Sequence, residues 1–262
     1  MSSFLTQHYI CPAGTPTAAA DAPDNAFLSI YAPCAGGGEL PVYEYTGEHR
    51  FEDEGGGNWK LYLLTSGNIT FSNQPGPIDV FCVGGGGAGN NALASGGGGG
   101  YTTTAFGIEI DPDSAYPVVV GAGAQTRSGT QPPPGGASSA FGVSAQGGKS
   151  GKQEGGGHGG DGGSGGAPGG GDNRGGSDGG DGLYTGATHD GIPGRGQGST
   201  TREFGAPDGI LYSGGGGSWD HGLGGEGGGG NYKNPGTPNT GGGGGGQADG
   251  GSGVVVLRNS RS

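Results

Sequence analysis

The feature that most constrains this chain is the run from Gly147 to Gly182, in which 20 of 36 residues are glycine. Ala167 is its only hydrophobic residue, so the run has almost nothing to bury against a core. Glycine also costs about 0.5–1 kcal/mol more than alanine to order inside an element. This composition is typical of a flexible linker, unless close contact between backbones requires the glycines.

A three-residue repeat inside this run favours order over flexibility. His158, Asp161, Ser164 and Ala167 recur every third residue, with pairs of glycines between them. Three residues per turn is the period of the extended left-handed helix of the polyproline II type, which makes no internal hydrogen bonds. Such helices can bond sideways to one another when no Cβ separates them. We therefore expect a bundle of polyglycine-II helices. A linker is the main alternative, and a collagen helix is disfavoured because the strict Gly-X-Y register is absent.

Composition and charge exclude several other classes of protein. The chain has 75 glycines in 262 residues and only 29% hydrophobic residues, against roughly 45–50% in globular domains. Its net charge of −12 disfavours nucleic acid and anionic membranes as partners. No apolar run approaches the roughly 18–20 residues of a membrane-spanning helix, and the first residues lack the regions of a secretory signal.

Strand-like islands separate the glycine runs. They alternate in hydrophobicity or are rich in β-branched and aromatic residues, and no segment has helical periodicity. The sequence predicts an all-β, glycine-rich fold: a small antiparallel β-structure plus polyglycine-II helices, with negligible α-helix. We place an N-terminal region at 1–58 and a glycine-rich domain at 59–262. The islands are Trp59–Val83, Tyr101–Ile110, Tyr116–Val120, Ser138–Ala145, Ile210–Tyr212 and Val254–Arg258.

The alternation also predicts which residues share an apolar face. The last island, Val254–Arg258, is expected to return to the same sheet as the strand Ile78–Val83. Of the three cysteines, Cys82 lies in a strand and is expected to be buried, whereas Cys11 and Cys34 could pair under oxidising conditions. The residues assigned to one apolar face are Leu61, Leu63, Ile78, Val80, Val118, Val120, Val254 and Val256.

Motifs that resemble chemical sites lack the context that they need. The spacing Gly84-x-Gly86-x-x-Gly89 follows a strand, but no helix comes next to hold a pyrophosphate. The five histidines have no catalytic or metal-ligand spacing, and Asp172, Asp178 and Asp181 are out of register for a calcium-binding repeat. We expect no enzymatic activity, no cofactor and no metal.

Side chains concentrate in the turns between glycine runs, so binding is expected there. Trp219 or Tyr184 is the predicted aromatic anchor, since a glycine scaffold offers no deep core to bury either ring. The alternative is that each ring packs on its own turn or on a face of the bundle. The predicted recognition residues are Tyr184, His189, Asp190, Trp219, Asp220, His221, Tyr232 and Lys233.

The ordered islands resemble the glycine-rich domain of bacteriophage tail-fibre and receptor-binding proteins. The resemblance covers Trp59–Ser262 and rests on IDVFCVGGGGAG, GGGGGYTTTAFGIEI, YPVVVGAGA, SSAFG and GGSGVVVLRNSR. Two further stretches, GNWKLYLLTSGNITF and GQGSTTREFG, are similar to versions in phages and prophages of Gram-positive gut bacteria.

The resemblance implies a virion adhesin, a tail-fibre or tail-tip protein whose distal loops contact a bacterial surface receptor, either a glycan or an outer protein. It also implies that the N-terminal region attaches to other virion proteins. A homotrimer is a further expected assembly, and the missing signal fits a protein made in the host cytoplasm and released by lysis. The alternatives are a purely structural virion component, such as a fibre segment, head decoration or cap, and more distantly a depolymerase of surface glycan.

Overall fold

The chain folds into antiparallel β-sheets from which glycine-rich segments extend. The structure is a computed structural model, and it describes residues 40–73, 76–127, 131–153, 156–185, 191–219 and 221–261. Within these ranges there is no α-helix, and Glu203–Gly205 form a short 3₁₀ turn. The predicted all-β class with negligible α-helix is therefore confirmed. The Cys11–Cys34 pair lies outside the described residues.

In the described part of the chain ten strands form three sheets, and every pairing between these strands is antiparallel. The strands are β1 Tyr43–Tyr45, β2 His49–Gly55, β3 Asn58–Leu63, β4 Gly67–Phe71, β5 Ile78–Val83, β6 Thr102–Ile108, β7 Ala115–Val118, β8 Ser138–Ala140, β9 Val143–Ala145 and β10 Val254–Asn259.

The larger sheet has the order β2-β3-β10-β5-β6, the smaller has the order β1-β4-β7, and β8 and β9 form a hairpin. The last strand, β10, lies between β3 and β5, which confirms that the final island returns to the sheet of Ile78–Val83. The strands on either side of residue 58, β2 and β3, pair with each other. Residues 43–55 are thus built into the same sheets as the chain that follows them.

The central strands of the larger sheet, β3, β10 and β5, are buried on both faces. On one face Leu61, Leu63, Ile78 and Val80 belong to a cluster with residues of β4 and β7. On the other face Tyr62, Phe81 and Val83 pack against Phe204 and Tyr212 from the loop 198–212. Strict alternation along β3 and β5 produces this division, because successive side chains of a strand point to opposite faces.

The prediction of which β10 side chains join the face of Leu61 and Val80 was wrong, because the alternation is shifted by one residue. Val254 and Val256 lie on the face of Phe204 and Tyr212, while Val255 and Leu257 face the first cluster. All four residues of this run are apolar and buried, so alternation in the sequence cannot assign a face. The antiparallel register decides it, since Val255 lies opposite both Leu63 and Cys82.

The glycine segments bond sideways to several neighbours, and the bonding recurs every third residue. The amides of Gly84 and Gly87 donate to Tyr101 and Gly98, and those of Gly86 and Gly89 donate to Gly251 and Ala248 (2.8–3.0 Å). The amide of Gly85, between these two sets, donates to Gly136 at 2.9 Å. One segment therefore presents three bonding directions along its length.

The triplet row from His158 to Ala167 does not form one straight segment. Gly160 and Gly163 donate to Gly96 and Gly99, which makes the first part parallel to segment 96–100. Gly96 and Gly99 donate in turn to Ala167 and Ser164, so the second part runs antiparallel to the same segment. The chain reverses direction near residue 163, where glycines impose no side chain on a tight turn.

Candidate functional site

The glycine segments bring distant turns together at one end of the molecule. Segment 84–89 follows the end of β5, and segment 96–100 leads into the start of β6. The turn 90–95 joins the two segments at the ends that lie away from the sheet. At this distal end the Trp219 amide donates to the Ala94 carbonyl oxygen at 3.3 Å, and the Gly246 amide donates to Gly217 at 2.8 Å. The Lys233 amide donates to Gly246 at 3.0 Å. The turns 90–95, 231–234 and 246–248 and the described residues 218, 219, 221 and 222 are therefore neighbours.

Asn173 connects a further turn to this end. Its side chain is fully buried, and its Oδ1 accepts the Thr185 amide at 2.8 Å. Its backbone carbonyl accepts the Ser218 amide at 3.1 Å. Tyr184 and Thr185 thus lie at the same end as Trp219 and Tyr232, while residues 186–190 of the predicted turn fall outside the described residues. Sequence reasoning did not single out Asn173, because an asparagine in a glycine-rich run has the ordinary signature of a turn.

An aromatic pair occupies the centre of the neighbouring turns. The rings of Trp219 and Tyr232 are nearly parallel, with an interplanar angle of 25° and centroids 6.5 Å apart. Lys233 Nζ lies 4.9 Å from the centroid of the Tyr232 ring, within the range of a cation–π interaction. Trp219 remains 45% exposed and Tyr184 48% exposed, so neither predicted anchor is buried on its own turn.

The other predicted residues have different positions. The His221 amide donates to Asp172 Oδ1 at 3.3 Å, and its ring Nδ1 lies 3.9 Å from the same oxygen. His221 therefore lies beside the turn that Asn173 anchors. His189, Asp190 and Asp220 fall outside the described residues.

Four non-glycine residues at the distal end have left-handed backbones. The φ angles are +50° at Ala94, +22° at Trp219, +61° at Lys233 and +71° at Gln247. This region costs an L-residue roughly 1–2 kcal/mol, whereas glycine enters it freely. Ala94 is buried, but the other three present exposed side chains. Among the described residues six further non-glycine positions also have positive φ, so the exposed side chains of Trp219, Lys233 and Gln247, and not the angles alone, distinguish this end.

The three aspartates compared with a calcium-binding repeat, Asp172, Asp178 and Asp181, bond within the chain. Asp178 accepts hydrogen bonds from Thr200 Oγ1 and the Thr201 amide, and Asp181 Oδ1 accepts the Gly196 amide at 2.7 Å. Asp172 accepts the His221 amide. Over the described ranges no group of three or more His, Cys, Asp or Glu side chains could hold a metal ion.

A second polar cluster lies beneath the loop 198–212. Glu203 is 1% exposed, with Oε1 lying 2.7 Å from Lys60 Nζ and Oε2 accepting a hydrogen bond from Tyr212 Oη at 3.2 Å. Burial and the Glu203 carboxylate raise the pKa of Tyr212 above its ordinary value. Both partners of the carboxylate are protein groups, so the cluster ties the loop to β3.

The described parts of the chain contain no helix long and apolar enough to cross a membrane. A family model described as a glycine-rich domain matches residues 64–260. No curated protein shows a significant sequence match to the chain.

Proposed function

The chain belongs to the glycine-rich domain family, and from this premise we propose that it is a non-enzymatic receptor-binding protein of a bacteriophage virion. In this proposal the turns at the distal end contact a receptor on the bacterial surface. The N-terminal region, residues 1–58, attaches the protein to the tail fibre or tail tip, and the protein acts outside the cell as part of the virion.

The observation that carries the proposal is the convergence of turns that are far apart in sequence. Trp219 and Tyr232 stack on each other, and Tyr184 lies on the turn that Asn173 holds against the segment of Trp219. Along the sides of the segments, by contrast, mostly backbone is available. Exposed aromatic side chains on a rigid support are typical of protein recognition surfaces, in which a few anchors carry most of the binding energy.

We further propose that the glycine segments are polyglycine-II helices. Hydrogen bonding that returns to the same neighbour every third residue supports this assignment, because three residues per turn is the period of this helix. The glycines support it too, since a Cβ on Gly216 would lie 1.9 Å from the Gly244 carbonyl oxygen. Backbone chemical shifts and coupling constants for residues 84–89 should report φ near −75° and ψ near +145°. Values typical of a β-strand would contradict the assignment.

Binding of labelled full-length protein to bacterial cells tests the function. We expect the protein to bind host cells and to compete with phage adsorption. The combined variant Tyr184→Ala, Trp219→Ala, Tyr232→Ala should bind at least about tenfold more weakly, since an aromatic anchor contributes roughly 2 kcal/mol or more.

A matched control removes three exposed apolar side chains elsewhere, with Val42→Ala, Phe106→Ala and Ile210→Ala. This variant should bind as the wild type does. Equal loss in both variants, or unchanged binding by the folded aromatic variant, would exclude the distal turns as the recognition surface. A virion-associated protein that never binds cells would instead be a purely structural component.

A further inference from the structure

We propose that the ligand of the distal end is a carbohydrate, bound on a platform formed by Trp219, Tyr232, Lys233 and Gln247. This inference rests on the proposed receptor-binding function and names the class of receptor. The platform differs from the surface expected from the sequence, since it includes the turns 90–95 and 246–248 and does not require Tyr184.

The backbone angles select the platform residues. Trp219, Lys233 and Gln247 each have a positive φ, and each lies on a different turn of the same end. Hydrogen bonds join these turns: Trp219 to Ala94, Lys233 to Gly246, and the Gln247 side-chain amide to the Asn91 carbonyl oxygen at 3.3 Å. Glycine would fit all three positions without strain, and the exposed side chains that occupy them instead lie on one shared surface.

The chemistry of the platform suits a sugar. The face of a pyranose ring carries C–H groups, which pack on an aromatic ring such as that of the 45% exposed Trp219. The hydroxyl groups around the rim of a sugar donate and accept hydrogen bonds at the same time. Amide side chains match them because each carries both a donor and an acceptor. Asn91, Asn231, Asn234 and Gln247 carry such amides on the turns around the stacked rings. Within the chain Asn231 Oδ1 accepts the Gly224 amide and Gln247 Nε2 donates to Asn91, so Asn231 Nδ2 and Gln247 Oε1 are the atoms assigned to the sugar.

Exposed aliphatic side chains at this end favour the alternative ligand, a loop of a protein receptor. Leu183 and Ile192 are 53% and 57% exposed. They belong to segments that pair with each other through the Gly182 amide and the Gly194 carbonyl oxygen. A protein receptor would be expected to use these apolar side chains, whereas a carbohydrate would not. The two groups of residues therefore provide matched variants.

The first experiment measures binding of the full-length protein to an array of immobilised oligosaccharides that includes neutral hexoses, N-acetylhexosamines and acidic sugars. Trp59 and Trp219 are the only tryptophans, and Trp59 is 1% exposed, so iodide quenching of fluorescence reports on Trp219. A bound sugar should protect Trp219 from iodide. The combined variant Trp219→Gly, Lys233→Gly, Gln247→Gly should keep its fold and lose at least about tenfold in affinity.

Two controls separate the platform from general effects. Asn239→Gly also replaces a residue with positive φ (+58°), but Asn239 bonds to Ser252 away from the distal end, so sugar affinity should not change. Leu183→Ser with Ile192→Ser should likewise leave sugar affinity unchanged. Wild-type sugar affinity in the folded triple-glycine variant would overturn the platform.

The second experiment compares treated bacterial cells. Periodate cleaves sugar diols, and we expect it to abolish binding, whereas protease treatment should not. Binding that survives periodate, but is lost after protease treatment or in the Leu183 and Ile192 variant, would overturn the carbohydrate inference and leave the receptor-binding function intact. Sugar binding without cell binding would support the carbohydrate inference and contradict the receptor-binding function. The absence of binding to every sugar tested overturns the inference whatever the cells do.

Discussion

Replacing Gly165 by alanine should disrupt the packing of the glycine segments. A Cβ at this position would lie 1.8 Å from the Gly194 carbonyl oxygen and 2.7 Å from the Gly182 nitrogen. Ordinary van der Waals contact begins near 3.4 Å, so the neighbouring backbone must retreat by about 1.6 Å. No flexible side chain lies there to absorb the change, because every atom near the new Cβ belongs to backbone.

The magnitude follows from the hydrogen bonds that such a shift breaks. Gly165 donates to Gly180 and accepts from Gly176, while Gly194 accepts from Gly182 and donates to Gly166, all at 2.8–2.9 Å. At a net value of about 0.5–1.5 kcal/mol each, losing these four bonds costs about 2–6 kcal/mol. Alanine also lowers the conformational entropy of the unfolded chain, and this stabilises the folded state by only about 0.4–1 kcal/mol. The loss is a large share of a domain stability of about 5–15 kcal/mol.

Gly180→Ala is the matched control within the same glycine run. Its Cβ would meet a single atom within 4 Å, the Ser177 carbonyl oxygen at 3.0 Å, so the cost should stay below about 1 kcal/mol. Urea denaturation measures both free energies of unfolding, and hydrogen exchange reports protection over residues 147–182. Equal stability of the two variants would refute the packing argument. Exchange of this stretch at the rate of an unstructured peptide in the wild type would do the same.

Three further predictions test the sheets and the loop that covers them. Val80→Asp should prevent folding and leave the protein insoluble, because Val80 is 0% exposed and the new carboxylate has no partner. Burial raises the pKa of the Cys82 thiol to about 12, so peptide mapping should find Cys82 alkylated at pH 8 only after denaturation. Hydrogen bonding from Thr200 lowers the pKa of Asp178. The ionised carboxylate therefore stabilises the fold at pH values above the pKa that it has in the unfolded chain. This stabilisation is lost as the pH falls through the pKa of the folded state. Asp178→Asn should therefore flatten the acid limb of the curve of unfolding free energy against pH, and an unchanged acid limb would contradict this.

Local pattern in the sequence predicted most of the strands. The islands Trp59–Val83 and Val254–Arg258 correspond to β3, β4, β5 and β10, because alternating and β-branched residues are typical of strands wherever they lie. The island Ser138–Ala145 is a hairpin, since Phe141 and Gly142 both have positive φ and turn the chain between β8 and β9. Ile210–Tyr212 contributes only an isolated bridge at Leu211.

The predicted islands do not include β1 and β2, which lie within the N-terminal region 1–58. Both strands lie at sheet edges. In β2, HRFEDEG, most residues are polar and exposed, whereas in β1, YEY, the two tyrosines are half-buried and only Glu44 is exposed. An edge strand needs little apolar surface, and charges there discourage pairing with another chain. The hydrophobic pattern of an edge strand is accordingly weak, and such a strand is recognised only from its hydrogen bonds to a partner strand.

By itself, the sequence determined the class of the fold and the need for glycine. Both follow from local properties: alternation marks strands, and a run with nothing to bury can be ordered only by contacts between backbones. Which backbones meet was decided by the tertiary structure, because one glycine is chemically the same as another. Only the folded chain turns the triplet row back on itself near residue 163 and brings Trp219 beside Ala94. The left-handed angles at Trp219, Lys233 and Gln247 are also consequences of folding, since nothing in those residue types predicts them.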